Sequence, residues 1–99
     1  MTPLPPFLQK LAAFDAAFVE QAAAIREQAY YTPSALDVKT KLLIALALDV
    51  AHGSEEGVQL LSARARDAGA NDAEIADVLR VCYSVAGLQC LSTGAKALN

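Results

Sequence analysis

The 99-residue sequence predicts an all-α fold, a small helical bundle, and three observations carry that expectation. Apolar residues recur at spacings of three and four along most of the chain, the period of one helix face. No stretch keeps the alternation of a half-buried strand, and Gly, Pro, Ser, Asn and Asp fall where each periodic stretch ends. The length fits one domain over residues 1–99, with a short lead over residues 1–6, and is enough to bury roughly 65% of the unfolded surface.

In the first helix Phe7, Leu11, Phe14, Phe18 and Ile25 form one stripe that runs to about Tyr30. Pro5 and Pro6 suit its first turn, where the N–H groups have no intrahelical partner. "YTPSALD" reads as a loop, because Pro33 disfavours helix at Thr32 and Ser34 or Asp37 can accept from the first free N–H groups of the next helix. That second helix, from about Asp37 through "VKTKLLIALALDVA", is apolar nearly all round after its first turn, which predicts burial on several sides and a central place in the fold.

Gly53 is a natural stop for it, and Ser54 a natural N-cap for the third helix, with Glu55 and Glu56 in the positively polarised first turn. The third helix places Val58, Leu61, Ala65 and Ala68 on one face and Glu55, Gln59, Ser62 and Arg66 on another, and ends at Gly69. Asn71 with Glu74 makes a capping-box-like start for the fourth, which turns Ile75, Val78, Leu79, Cys82 and Ala86 inward. Gly87 is expected to break or kink it, leaving "LQCLSTGAKAL" as a short terminal helix.

Hydrophobic residues make up 55% of the chain, more than a small monomer hides, so the sequence predicts a homo-oligomer. The net charge is −3, with Lys39, Lys41, Arg64, Arg66, Arg80 and Lys96 dispersed, which argues against a nucleic-acid partner. The longest apolar run, Leu42 to Leu48, is closed by Asp49 and is far shorter than the ~20 residues that span a bilayer, so no membrane partner is expected. "MTPLPPF" lacks a basic segment followed by an apolar one, and the reading is a cytoplasmic protein with reduced cysteines.

The run "ALDVKTKLLIALAL", a glycine, a helix ending "DAGANDAEIADVL", and a further apolar helix resemble the carboxymuconolactone decarboxylase and alkylhydroperoxidase D superfamily over about Ser34 to Leu98. Leu36-Asp37 with Lys39-Thr40, and Ala68-Gly69-Ala70 with Glu74-Ile75, carry most of the likeness. The resemblance implies helical oligomers, commonly trimers or hexamers, with pockets close to subunit interfaces. Its peroxidase-like branch uses a glutamate in the central helix, a Cys-x-x-Cys and a histidine four residues on: one thiolate attacks peroxide, the second thiol resolves the sulfenate, and the acid and histidine relay protons. Here those positions are Leu42, Ser54, Gly57 and Leu61, which excludes that chemistry at that place. The lactone decarboxylase branch lacks the cysteines and places glutamates after the glycine, as in "GSEEG" here, but carries a histidine where this sequence has Leu60 and Leu61.

The candidate catalytic residues are therefore Asp49, His52, Glu55 and Glu56. Asp49 and His52 stand three apart on one helix, about 60° around its axis, so the carboxylate can orient the imidazole as an acid–base pair. Equally, His52 can cap the negative end of the helix while Asp49 holds its ring. Glu55 and Glu56 lie about 100° apart and have a plain reading as solvated first-turn acids. Cys82 and Cys90, eight apart, are too distant for a disulfide on one continuous helix, with roughly 12 Å of rise between them. Tyr30, Tyr31 and Tyr83 read as pocket-lining hydroxyls or as packing residues. One histidine and two scattered cysteines give no ligand cluster, so neither metal nor cofactor is expected.

The leading function is a non-redox protein of this superfamily that binds a small organic acid or lactone and catalyses decarboxylation or a related proton transfer. A catalytically silent oligomeric binding or scaffold protein is the alternative. Thiol oxidoreductase chemistry through Cys82 or Cys90 requires those thiols to approach each other or a thiol of another subunit.

Overall fold

The computed structural model describes residues 4–98; of the N-terminal lead, residues 1–3 lie outside the described residues. Every element is helical, with no strand among the described residues. The chain divides into two compact units, Met1–Val38 and Lys39–Asn99.

In the first unit the expected single helix is two. Helix α1 spans Pro6–Ala12 with Pro5 at its N-cap, and α2 spans Ala16–Arg26. The break is made by Asp15, whose carboxylate accepts from the Phe18 backbone N–H at 3.1 Å and so restarts the chain as a capped helix. The three-and-four apolar spacing runs through this restart and masks it. Helix α2 continues into a π-helical turn, Glu27–Tyr31, where the Tyr30 and Tyr31 rings meet edge to face at 6.0 Å and the Arg26 guanidinium lies over Tyr30. Leu8 and Val19 are buried here, while Phe14 is 90% exposed.

The second unit holds α3 (Val38–His52), α4 (Glu55–Asp67) and α5 (Asp72–Gly94), followed by a 3-10 turn, Ala95–Ala97. Leu42, Ala45, Leu46, Leu61, Ala65 and Ala70 are its buried side chains, so α3 and α4 supply nearly all of the core. The expectation that α3 is buried on several sides holds for one face only: Ile44 and Leu48 are about half exposed. On α5, Ile75, Val78 and Cys82 are half-buried, but Leu79 and Ala86 are exposed rather than inward.

Gly87 does not break α5. A glycine inside a helix costs roughly 1 kcal/mol relative to alanine but removes no hydrogen bond, unlike proline, and the helix runs through it for 23 residues. The uninterrupted α5 is, by length and composition alone, long and apolar enough to cross a membrane, a property that the expected break hid.

Candidate functional site

The two junctions of the second unit use the same backbone device. Gly53 has φ +72 and Gly69 φ +104, the left-handed conformation that glycine adopts without strain. At the first, Ser54 N–H donates to Asp49 C=O (3.0 Å) and Gly53 N–H to Val50 C=O (3.2 Å). At the second, Ala70 N–H donates to Ala65 C=O and Gly69 N–H to Arg66 C=O, both at 2.9 Å. Each pair closes a Schellman motif and satisfies helix-end carbonyls.

The junctions differ in the side chains just beyond the glycine. Asn71 and Glu74 form a full capping box: Asn71 Oδ1 accepts from Glu74 N–H (2.9 Å), and Glu74 Oε1 from Asn71 N–H (3.1 Å). Lys39 Nζ donates to the other Glu74 oxygen at 2.7 Å, tying the start of α3 to the start of α5. Ser54 occupies the N-cap position of α4, but its side chain makes no capping hydrogen bond. The Ser54 hydroxyl is thus not taken up by helix capping.

Asp49 is half-buried, whereas His52, Glu55 and Glu56 are exposed, and no hydrogen bond or ion pair joins Asp49 to His52 among the described residues. The structure therefore does not form the acid–imidazole contact that the three-residue spacing permits. Asp49 turns toward α4. A Cβ built on Gly57 would overlap its carboxylate and come within 2.9 Å of Ser54 Oγ. Glycine at 57 is thus a steric requirement of Asp49, a role invisible in a linear reading because the two stand on different helices.

Between the end of α3, the first turns of α4 and one turn of α5 lies an open concavity of about 640 Å³, lined by Val50, Gly53, Glu55, Val58, Gln59 and Leu79. Glu55 and Gln59 are one turn apart and so share a face of α4. Of the four candidate catalytic residues, Glu55 lines this concavity; Asp49, His52 and Glu56 do not. Gln59 and Leu79 complete the lining, and residue type alone singles out neither as a site residue. The i, i+4 pairing of Glu55 with Gln59 is readable in the sequence, while the approach of Leu79 depends on the packing of α5.

The positions that would carry the redox motif are structural here. Leu42 is 1% and Leu61 6% exposed, both in the core, and the space beside Gly57 is taken by Asp49. Cys82 donates its S–H to Ala47 C=O at 3.4 Å, Cys90 is exposed, and both are free. Since α5 is continuous between them, roughly 12 Å of rise separates the two thiols and no disulfide forms within the chain. No group of three or more His, Cys, Asp or Glu side chains that could hold a metal ion occurs among the described residues.

The chain is all-helical among the described residues, and its central helix ends in a glycine turn, which agrees with the class of small helical-bundle proteins to which the sequence likeness pointed. Residues 16–99 match the carboxymuconolactone decarboxylase family, and the chain belongs to that family. No curated protein and no solved structure matches it.

Proposed function

We propose that this chain is a non-redox family protein that binds a small lactone or organic acid in the concavity beside the α3–α4 turn and moves a proton there. The observation that carries the reading is the placing of Glu55 and Gln59 together on an otherwise apolar lining. Apolar walls suit the carbon skeleton of such a ligand, and a few convergent polar groups fix its orientation. In the proton-transfer step the Glu55 carboxylate takes a proton from the carbon next to the ligand carbonyl. The electron pair moves onto the carbonyl oxygen, to which the Gln59 amide donates, and the proton then returns from the Glu55 carboxyl. In a decarboxylation the same enolate forms as carbon dioxide leaves, and the acid form of Glu55 protonates it. His52, Asp49 and Glu56, within a turn or two, are the supporting groups in this reading.

The test is exchange of the lactone's α-proton for deuterium in heavy water, followed by proton NMR. The proposal expects exchange above the buffer rate that falls 100-fold or more in Glu55→Gln, the scale of one general base. Exchange at the buffer rate with the wild-type protein contradicts it and leaves the silent binding or scaffold role. That alternative draws on the separation of Asp49 from His52 and the exposure of His52.

The same proposal includes a homo-oligomer in the cytoplasm. Its support is α5, which buries no residue in the single chain. Its exposed apolar side chains, Val81, Val85, Leu88 and Leu91 among them, call for a partner surface.

A further inference from the structure

Tyr83 is 81% exposed on α5 and takes part in no hydrogen bond or ring contact among the described residues. It stands four residues after Leu79, so the two share a face of α5, and Leu79 is the residue through which α5 lines the hollow beside the α3–α4 turn. A helical side chain leans toward the helix N-terminus, which carries the Tyr83 ring over the turn that begins at Leu79.

Two contacts fix the height of Tyr83 against the hollow. Lys39 bonds to Glu74 and Cys82 to Ala47, each pair 35 residues apart, so α3 and α5 run parallel with each residue of α3 level with the one 35 further on. Helix α4 folds back along α3 with Gly57 against Asp49, which puts Gln59 level with Ala47 and hence with Cys82. Gln59 on α4 and Tyr83 on α5 therefore stand within about 1.5 Å of the same height, the rise of one residue. An amide and a phenol thus occupy two of the helices that wall one hollow.

We propose that the Tyr83 hydroxyl is a second hydrogen-bond donor to the carbonyl oxygen of the ligand, acting with the Gln59 amide. The inference rests on the proton-transfer reading above and completes its donor set. When the Glu55 carboxylate takes the α-proton, the electron pair of the C–H bond moves onto the carbonyl oxygen, so the negative charge passes from Glu55 to that oxygen. Gln59 is the one lining residue whose side chain donates. Developing charge of this kind is held by preorganised donors, among which a tyrosine hydroxyl serves as well as an amide. A neutral O–H also suits this place better than a cation, because a lysine or arginine there would pair with the Glu55 carboxylate and weaken it as a base. Tyr83 keeps its own proton throughout, and the proton that returns to carbon comes from the Glu55 carboxyl. The ligand this implies presents its carbonyl between α4 and α5 and its acidic α-carbon toward Glu55.

The experiment measures α-proton exchange of a small β,γ-unsaturated γ-lactone in heavy water over a range of lactone concentrations, with the full chain as wild type, Tyr83→Phe and Tyr83→Ala. Tyr83→Phe keeps the ring and removes only the hydroxyl from an exposed position. It is expected to lower the saturated exchange rate about ten-fold or more, toward the 100-fold of a well-held oxyanion donor. The half-saturating concentration should change by less than about two-fold, the mark of an interaction made in the transition state alone. Tyr83→Ala is expected to exchange no faster than Tyr83→Phe. Exchange at the wild-type rate in Tyr83→Phe overturns the inference and leaves the Glu55 reading standing. A raised half-saturating concentration at an unchanged saturated rate also overturns it, by making Tyr83 only a wall of the hollow. A slower rate accompanied by a changed mass in light scattering assigns Tyr83 to a contact between subunits and overturns it as well. Wild-type exchange at the buffer rate overturns both readings.

Discussion

The α3–α4 and α4–α5 junctions close with the same hydrogen-bonded glycine turn, yet they use their polar side chains in opposite ways. At α4–α5, Asn71, Glu74 and Lys39 all bond to one another or to the backbone, and Arg66 pairs with Asp72. At α3–α4, Ser54 caps nothing, Glu55 faces a concavity with Gln59, and His52 is exposed. The first arrangement holds two helices in place; the second leaves acids and an imidazole available beside an apolar hollow. Two stops that look alike in sequence thus divide into one whose polar side chains hold helices together and one whose N-cap serine makes no capping bond.

Substitutions that break this contrast should do so in a definite order. The largest effect is expected from Gly57→Ala, since the new methyl group overlaps the Asp49 carboxylate; overpacking of this kind costs about 1–3 kcal/mol. Urea denaturation measures it, and Asp49→Ala in the same chain should recover most of the loss, a coupling that two independent sites would not show. Next come the two halves of the capping box, of which Asn71→Ala removes one and should cost about 1 kcal/mol. Glu74→Ala removes the other half together with the Lys39 pair, whose two side chains are each 33% exposed. Since partly exposed pairs contribute little, it should exceed Asn71→Ala by no more than about 1 kcal/mol. The smallest effect belongs to Ser54→Ala, which breaks no capping bond and should shift stability by less than about 0.5 kcal/mol; a loss as large as that of Asn71→Ala would erase the difference between the junctions.

The sequence makes some of this plain and hides the rest for identifiable reasons. Gly53, Gly69 and the Asn71/Glu74 box are legible because each is a local signal, a residue type at a fixed offset from a periodic stretch. The restart at Asp15 is hidden because the apolar stripe crosses it without losing phase. Gly87 misleads: a glycine alone weakens a helix without ending it, and the result is a 23-residue α5 in place of two shorter helices. At the site, the acids are recognisable by type, but spacing along one helix suggests an Asp49–His52 contact that the fold does not make. Asp49 instead meets Gly57 on the next helix, and Leu79 on α5 completes the hollow around Glu55. Both relations depend on how helices pack, which periodicity within a single helix does not encode.

The proposed division between a ligand-binding junction and a holding junction is tested most directly by titrating ¹⁵N-labelled protein with a small unsaturated γ-lactone and following backbone amide shifts. The account predicts concentration-dependent shifts at Val50, Gly53, Glu55, Val58, Gln59 and Leu79, greatly weakened in Glu55→Gln, with the Asn71 and Glu74 amides unmoved. Shifts centred on Asn71 and Glu74, or saturable shifts at the α3–α4 turn that Glu55→Gln leaves intact, would contradict it.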